Sequence, residues 1–271
     1  MSEPLISIIM AAYNSEKYIS DAIGSVIKQS YHNWELLIIN DGSFDNTHNI
    51  VTQLSDPRIK YYYHKTNNGV SYARNLGIKI MDGDYFCFFD TDDIMPSNSI
   101  QSRLNIFIQN PELSFVDGAV ITKNYDMSVI KRKYIPSFTG IPYENLLTLN
   151  SNCYFGPTWL IKRENNVSYR FIEHMSHAED LYFFISISQG KKYSYTIEEV
   201  LHYRFTHNSA MSNLDGLKNG YNILFDRIKD IHKPKFLTLL LLKIKIKKIM
   251  FLSYMFDGKM PIKAIKSLFF K

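Results

Sequence analysis

The 271 residues include 31 Lys and Arg against 26 Asp and Glu, a formal charge of +5, and 45% of them are hydrophobic. That is the composition of a globular protein with a sizeable core. The length predicts one large domain with an appendage, because domains centre on ~100–150 residues and α/β domains reach ~250. Two cysteines, Cys87 and Cys153, exclude a disulfide framework and a cysteine zinc site, and no apolar run approaches the ~20 residues of a spanning helix.

Leu5 to Met10 is a short apolar run rich in β-branched residues, bounded by Pro4 and by Tyr13-Asn14, and reads as a buried strand. Tyr18, Ile19, Ala22, Ile23, Val26 and Ile27 recur at helical spacing and predict an amphipathic helix over 15–29. Trp34 to Ile39 predicts a second strand, broken by Asn40-Asp41-Gly42-Ser43, and Ile50, Val51 and Leu54 mark a short helix. A third strand (59–63), a helix (70–81), a fourth strand (85–89), a helix (97–109) and a strand (113–122) follow. Residues 123–140 read as a hairpin or loop, 141–149 as a short helix, and 179–189 as a helix ending at Gly190. Residues 193–203 predict a strand, 204–213 a polar loop and 214–231 a helix. Nearly all-apolar strands alternating with helices predict an α/β fold with a mostly parallel central sheet covered on both faces.

In such sheets ligands collect at the carboxyl ends of the strands. Found there are Tyr13-Asn14, Asp41-Gly42-Ser43 and Asp90-Thr91-Asp92-Asp93. Carboxylates packed this closely repel unless a cation offsets them, and a hard ion such as Mg²⁺ or Mn²⁺ suits one or two carboxylates plus diphosphate oxygens; the alternative is an acidic cap for the next helix. Asp41 has the chemistry to accept a hydrogen bond from a pyrimidine ring N–H, or belongs to a plain Asp-Gly turn. Tyr13 offers a stacking face for a base. Arg74, the sole cation in the first two turns of its helix, suits the base or phosphates of a nucleotide, or pairs with a surface acid. Glu179-Asp180 opens a helix, where the dipole keeps a carboxylate ionised and fit to act as a general base; it is otherwise an ordinary helix-start pair. Arg204 to Ser212 is a polar loop that suits a diphosphate or only connects two elements.

The order of these motifs is more specific than any one of them. Pro-Leu-Ile-Ser-Ile-Ile-Met-Ala-Ala-Tyr-Asn from Pro4, then Trp34 to Ser43, Asp45-Asn46-Thr47, Asn68-Gly69 to Gly77, Asp90-Thr91-Asp92, Glu179-Asp180 and Tyr203-Arg204 together resemble the family 2 glycosyltransferases of the GT-A fold over about residues 4–212. The resemblance implies that Tyr13 and Asp41 hold a uracil, that Arg74 assists at the nucleotide, and that Asp90 and Asp92 serve ribose, donor sugar and metal. Ala11, Asn14, Asn68 and Thr91 fall within the same nucleotide-sugar site. Metal ligation is left between Asp92 and Asp93, and Arg204 and His207 are implied at the diphosphate or metal. Asp180 is implied as the catalytic base, supported by Glu179. The domain division so implied is a GT-A catalytic domain over 1–213, with a nucleotide-sugar-binding half (1–122) and an acceptor-binding half (123–213), and a helical, Lys-rich extension over 214–271.

The expected activity is inverting, metal-dependent transfer of one hexose or N-acetylhexosamine from a UDP-sugar to a glycan hydroxyl, with Mn²⁺ or Mg²⁺ as cofactor. The Gln-Xaa-Xaa-Arg-Trp motif and membrane spans of processive relatives are missing, which favours single-sugar transfer. A sugar nucleotidyltransferase would show a Gly-rich loop where Ala11-Ala12-Tyr13-Asn14 stands, and a non-catalytic sugar- or lipid-binding module would not require both acidic motifs. Charge is uneven: residues 233–271 hold ten Lys and one acid, whereas residues 1–232 hold 21 basic and 25 acidic residues. An anionic membrane surface is therefore expected as the tail's partner, and nucleic acid is not expected as a partner. Residues 236–256 interleave apolar residues with Lys243, Lys245, Lys247 and Lys248 and read as a basic amphipathic helix on lipid, a packing helix with a solvated Lys face, or a strand. A lipid-linked acceptor and bacterial surface polysaccharide synthesis follow from the first reading. With no basic, apolar leader in the sequence, the expected place is cytoplasmic, peripheral at the inner face of the cell membrane.

Overall fold

The computed structural model describes residues 3–206 and 213–268. Its first half alternates strand and helix as the apolar runs require: β1 (Ile6–Ala12), α1 (Ile19–Ile27), β2 (Trp34–Asp41), α2 (Thr47–Thr52), β3 (Ile59–His64), α3 (Val70–Ile80), β4 (Tyr85–Phe88) and α4 (Ser99–Gln109). Next come β5 (Leu113–Lys123), β6 (Ile130–Tyr134), α5 (Tyr143–Leu147), β7 (Leu160–Lys162), α6 (Glu179–Ser188) and β8 (Lys192–Arg204). The described residues go on through α7 (Leu214–Arg227), α8 (Phe236–Leu252) and α9 (Pro261–Leu268), with a π-helical turn after each of the first two.

β3, β2, β1 and β4 lie side by side and parallel. β7 enters antiparallel between β4 and β5, and β5 pairs with β6 antiparallel and with β8 parallel. The sheet is thus mixed and mostly parallel. Strand side chains alternate between faces, so Ile6, Ile8 and Met10 pack with Ile23 and Val26 of α1 and Leu104 of α4, while Ile9 packs with Ala73 of α3 and Phe183 and Phe184 of α6. Helices cover both faces, and α6 shares a face with α3. That common face brings residues near 74 and near 180 together.

Three differences from the sequence expectation have local causes. The first helix starts at Ile19 rather than at 15, because the backbone N–H of Ser15 donates to Thr47 Oγ1 (2.8 Å) and the chain turns before it coils. β7 was not expected, since three residues are too few to show a period. The strand reading of the tail gives way to α8, in which Leu242, Ile246 and Met250 repeat every four residues and are buried in the same core as Leu217 and Leu224 of α7. Among the described residues no helix is long and apolar enough to cross a membrane.

Candidate active site

β1, β2 and β4 end at one edge of the sheet, and the loops leaving them wall a cleft of about 1160 Å³. Ala11, Tyr13 and Asn14 line it from the end of β1, Asp41 from the end of β2, and Asp90, Thr91, Asp92 and Asp93 from the turn after β4. Arg74 of α3 and Glu179 and Asp180 of α6 line the same cavity. The two acidic motifs, ninety residues apart in sequence, therefore face one space.

At the β1–β2 end the loops hold each other. Asn14 takes a left-handed φ of 48°, a conformation asparagine tolerates better than most; its N–H donates to Ser43 Oγ (2.9 Å), and its Oδ1 accepts from the Phe44 N–H (3.1 Å). Tyr13 is 45% exposed, meets Phe44 edge-on at 6.1 Å and lines the cleft. Asp41 is buried, and its Oδ2 accepts the backbone N–H groups of Asn68 (2.8 Å) and Gly69 (2.7 Å). The Asp-Gly turn is also present: Gly42 has φ +76°, and a Cβ there would stand 2.7 Å from the Thr66–Asn67 backbone. Asn68 is spent on this latch, and its neighbour Asn67 lines the cleft in its place.

At the acidic end, Thr91 Oγ1 and Ser15 Oγ share a hydrogen bond (2.8 Å). Asp93 is 2% exposed and accepts the backbone N–H of Arg204 (2.8 Å), so it anchors the end of β8. Arg204 differs from expectation. It is the last residue of β8 rather than part of a loop, and its buried guanidinium does not line the cleft. Nε donates to the Asp92 carbonyl (2.7 Å), Nη1 donates to the Tyr125 carbonyl (2.6 Å), and the group lies over the Tyr18 ring. It braces the acidic turn from behind. His207 lies outside the described residues.

Arg74 answers to neither of its sequence readings alone. It is 5% exposed and bridges the two acidic motifs, with Nη2 donating to Asp90 Oδ1 (3.0 Å) and Nη1 to Glu179 Oε1 (3.2 Å). Burial, and then the charge of Asp180, push Glu179 up to about 7 against the pull of Arg74. Burial, and then the charge of Asp90, push Asp92 up to about 6, and burial and its acidic neighbours hold Asp93 well above the usual carboxylate range. Asp180 Oδ1 accepts the Leu181 N–H (2.7 Å), which holds the side chain against its own helix start. Burial and then the charge of Asp180 raise the Tyr154 phenol well above its ordinary value.

Crowded, partly desolvated carboxylate oxygens are a donor set that fits a hard divalent cation. Among the described residues no three His, Cys, Asp or Glu side chains converge on one ion position. The fit is therefore to an ion that takes one or two protein carboxylates and finishes its shell with diphosphate and water. Asp92 is better disposed for this than Asp93, whose Oδ1 is committed to Arg204.

Aromatic side chains that the motifs did not single out complete the cleft. Phe155 and Tyr203 line it with rings 5.5 Å apart, and Tyr125 joins them. Phe155 stands before the turn pair Gly156-Pro157, and its place at the cleft is legible only once β8 brings Tyr203 beside it.

Comparison with known proteins agrees with this geometry. The family description "Glycosyl transferase family 2" matches residues 7–169. A UDP-Glc:alpha-D-GlcNAc-diphosphoundecaprenol beta-1,3-glucosyltransferase, WfgD of Escherichia coli, is 34% identical over 238 residues, 85% of this chain and 89% of the relative. A putative teichuronic acid biosynthesis glycosyltransferase, TuaG of Bacillus subtilis, is 29% identical over 78% of this chain and 83% of its own length. Among solved structures, S. aureus TarS 1-349 with UDP-GlcNAc superposes with a TM-score of 0.66 at 20% identity, covering 93% of this chain and 73% of that one. Mannosyltransferase PcManGT of Pyrobaculum calidifontis, with GDP-Man and Mn2+, gives 0.67 at 14% identity over 98% and 74%. The mixed sheet, the acid-lined cleft at its strand ends and these matches make the chain a glycosyltransferase of glycosyl transferase family 2, with the GT-A fold.

Proposed function

We propose that this enzyme transfers a single hexose or N-acetylhexosamine from a UDP-sugar, with inversion, to a hydroxyl of a lipid-linked glycan in bacterial surface polysaccharide synthesis. The observation that carries this reading is one cavity lined by both Asp92 and Asp180. Relatives named for UDP-Glc transfer to a diphosphoundecaprenol-linked sugar, and for teichuronic acid synthesis, support the donor and acceptor class. Residues 1–122 hold the donor and 123–213 the acceptor, with 214–271 as an extension.

In this reading the Tyr13 ring stacks on the uracil, while the Asp41 carboxylate accepts its ring N–H. Asp90 binds the donor's ribose or sugar and is kept in place by Arg74. Asp92 would hold a divalent cation, which when bound would supply positive charge to offset that on the departing UDP. Asp180 takes the proton from the acceptor hydroxyl as its oxygen bonds to the anomeric carbon, and the bond from that carbon to the diphosphate breaks with its electron pair leaving on UDP. A single in-line displacement inverts the centre. Glu179, tied to Arg74, keeps the base beside the donor. The Lys-rich tail holds the enzyme at the cytoplasmic membrane face, where such an acceptor resides. Family membership sets aside the nucleotidyltransferase and binding-module alternatives.

The test is a panel of UDP-sugars with Mn²⁺ and with EDTA, reading UDP release and product. Asp180→Asn is expected to lower transfer by roughly 10²–10⁴-fold, the usual worth of a general base, with UDP-sugar affinity unchanged. Near-normal turnover by that variant sinks the assignment.

A further inference from the structure

We infer that the β5–β6 hairpin is the docking site for the anionic diphosphate of the lipid-linked acceptor, with Arg132 as its principal contact. This rests on the glycosyl-transfer reading and adds where the acceptor's charged linker lies. The cleft is lined by Asp90, Asp92, Glu179 and Asp180. The donor's diphosphate enters with a divalent cation to offset its charge, whereas the acceptor's linker has no such counter-ion beside Asp180 and is better held beyond the acidic region. The direction in which the acceptor leaves is marked by aromatic rings. Phe155, in the cleft wall, lies 5.5 Å from Tyr203 on one side and 5.5 Å from Tyr134 of β6 on the other.

Arg132 stands two residues from Tyr134 on the same strand and so shares its face of the sheet. Register gives the span. Thr122 of β5 is opposite Tyr203 on one side and Arg132 on the other, so two strand spacings, about 10 Å, separate the cleft wall from Arg132. That is close to the reach of one sugar ring with its diphosphate. The register slips between Thr122 and Lys123, opposite Arg132 and Ile130, which leaves Lys131 as the extra residue of a bulge. Bulges re-aim side chains and are frequent beside active sites.

Lys131, Arg132 and Lys133 are all exposed, and none makes an ion pair among the described residues. Three adjacent unpaired cations stand out in a body whose residues 1–232 are net acidic. Lysines on an edge strand also deter pairing with other chains, and that accounts for Lys131 and Lys133. It does not account for an arginine on the aromatic side, or for exposed Val129, Ile130 and Ile135 flanking it. A planar guanidinium grips a diphosphate through paired hydrogen bonds, and the aliphatic side chains give the first carbons of a prenyl chain an apolar surface.

The experiment uses full-length protein with UDP and Mn²⁺ saturating, so that the donor site is filled, and farnesyl diphosphate and farnesol as probes. The wild type is expected to bind farnesyl diphosphate at least about tenfold more tightly than farnesol. The triple variant K131Q/R132Q/K133Q is expected to lose that preference, and R132K to keep part of it. UDP affinity and melting temperature should be the same in all variants. Equal binding of farnesyl diphosphate by wild type and triple variant overturns the proposal, as does an equal loss for farnesol. A deficit confined to phosphatidylglycerol vesicles and not seen with the soluble probe also overturns it, by making the hairpin a membrane contact. Failure of the wild type to bind UDP in the same samples instead strikes at the donor reading on which the proposal rests.

Discussion

Arg74 shows what a single buried residue does in this cleft. Its charge, paired with Glu179, opposes the burial of that carboxyl and the charge of Asp180 without cancelling them, so Glu179 sits near 7 rather than at its ordinary 4.5. The sign of the consequence is fixed by which state holds the proton. Between about 4.5 and about 7 the native protein keeps a proton on Glu179 that the unfolded chain has released, so ligand-free stability falls as the pH rises through that window. Glu179→Gln cannot titrate. Melting temperatures at about pH 5.5 and about pH 7.5 should therefore show the variant gaining on the wild type at the higher pH. Identical pH dependence in the two proteins would mean that Glu179 is ionised throughout. Arg74 itself was visible as an isolated cation on a helix, but its partners, Asp90 and Glu179, lie 16 and 105 residues away. No pattern within a helix reveals such a bridge.

At the scale of elements, the strands and helices of the first half were legible because β1, β2 and β4 are buried on both faces and, apart from Ser7, Glu35 and the Asn40-Asp41 end of β2, are made of apolar residues. The motifs at their ends were legible for the same reason, since a polar cluster after an apolar strand has only one place to go. The second half was harder to read. β7 is three residues long, and the polar run from Arg204 reads as loop although parallel pairing with β5 extends β8 through Arg204. Least visible was how closely α7 approaches the segment that leads into Asp180, the proposed base. Gly216 and Gly220 sit one helical turn apart on α7, and a Cβ at Gly220 would stand 2.4 Å from the His177 carbonyl oxygen. The segment so approached leads through Ala178, held at a left-handed φ of 59°, into Glu179 and Asp180. Because the clash is with backbone, no rotamer relieves it. Gly220→Ala should cost about 1–3 kcal/mol, as overpacking does, and should lower turnover more than it weakens UDP binding, because the donor loops lie elsewhere. Urea denaturation and steady-state kinetics on the same variant check both. Loss of stability with turnover intact would mean that α7 does not set the base.

For the whole molecule the question is what the separation of charge achieves, with a mildly acidic body and ten lysines gathered after residue 232. α8 packs on the core by one side and leaves the lipid reading of its other side to be tested. Leu242, Ile246 and Met250 seal the core, whereas Leu237, Leu240, Leu241 and Ile244 remain exposed on the other side, with exposed Lys245 and Lys248 one and two turns further on. Removing the tail would strip the core beneath α7 along with any membrane face, so a truncated chain would confuse the two roles. Surface substitutions separate them. L237Q/L241Q/I244Q should abolish co-flotation with phosphatidylglycerol vesicles while leaving the melting temperature nearly unchanged, because those side chains contribute little to the core. K245Q/K248Q should weaken vesicle binding by about thirtyfold at low salt, at about 1 kcal/mol for each lysine near an anionic surface, and the deficit should shrink as salt screens the field. Equal recovery of all three proteins with the vesicles would leave α8 a packing helix whose lysines only keep it wet, and the enzyme would then have to meet its lipid-linked acceptor through the cleft and the hairpin beside it.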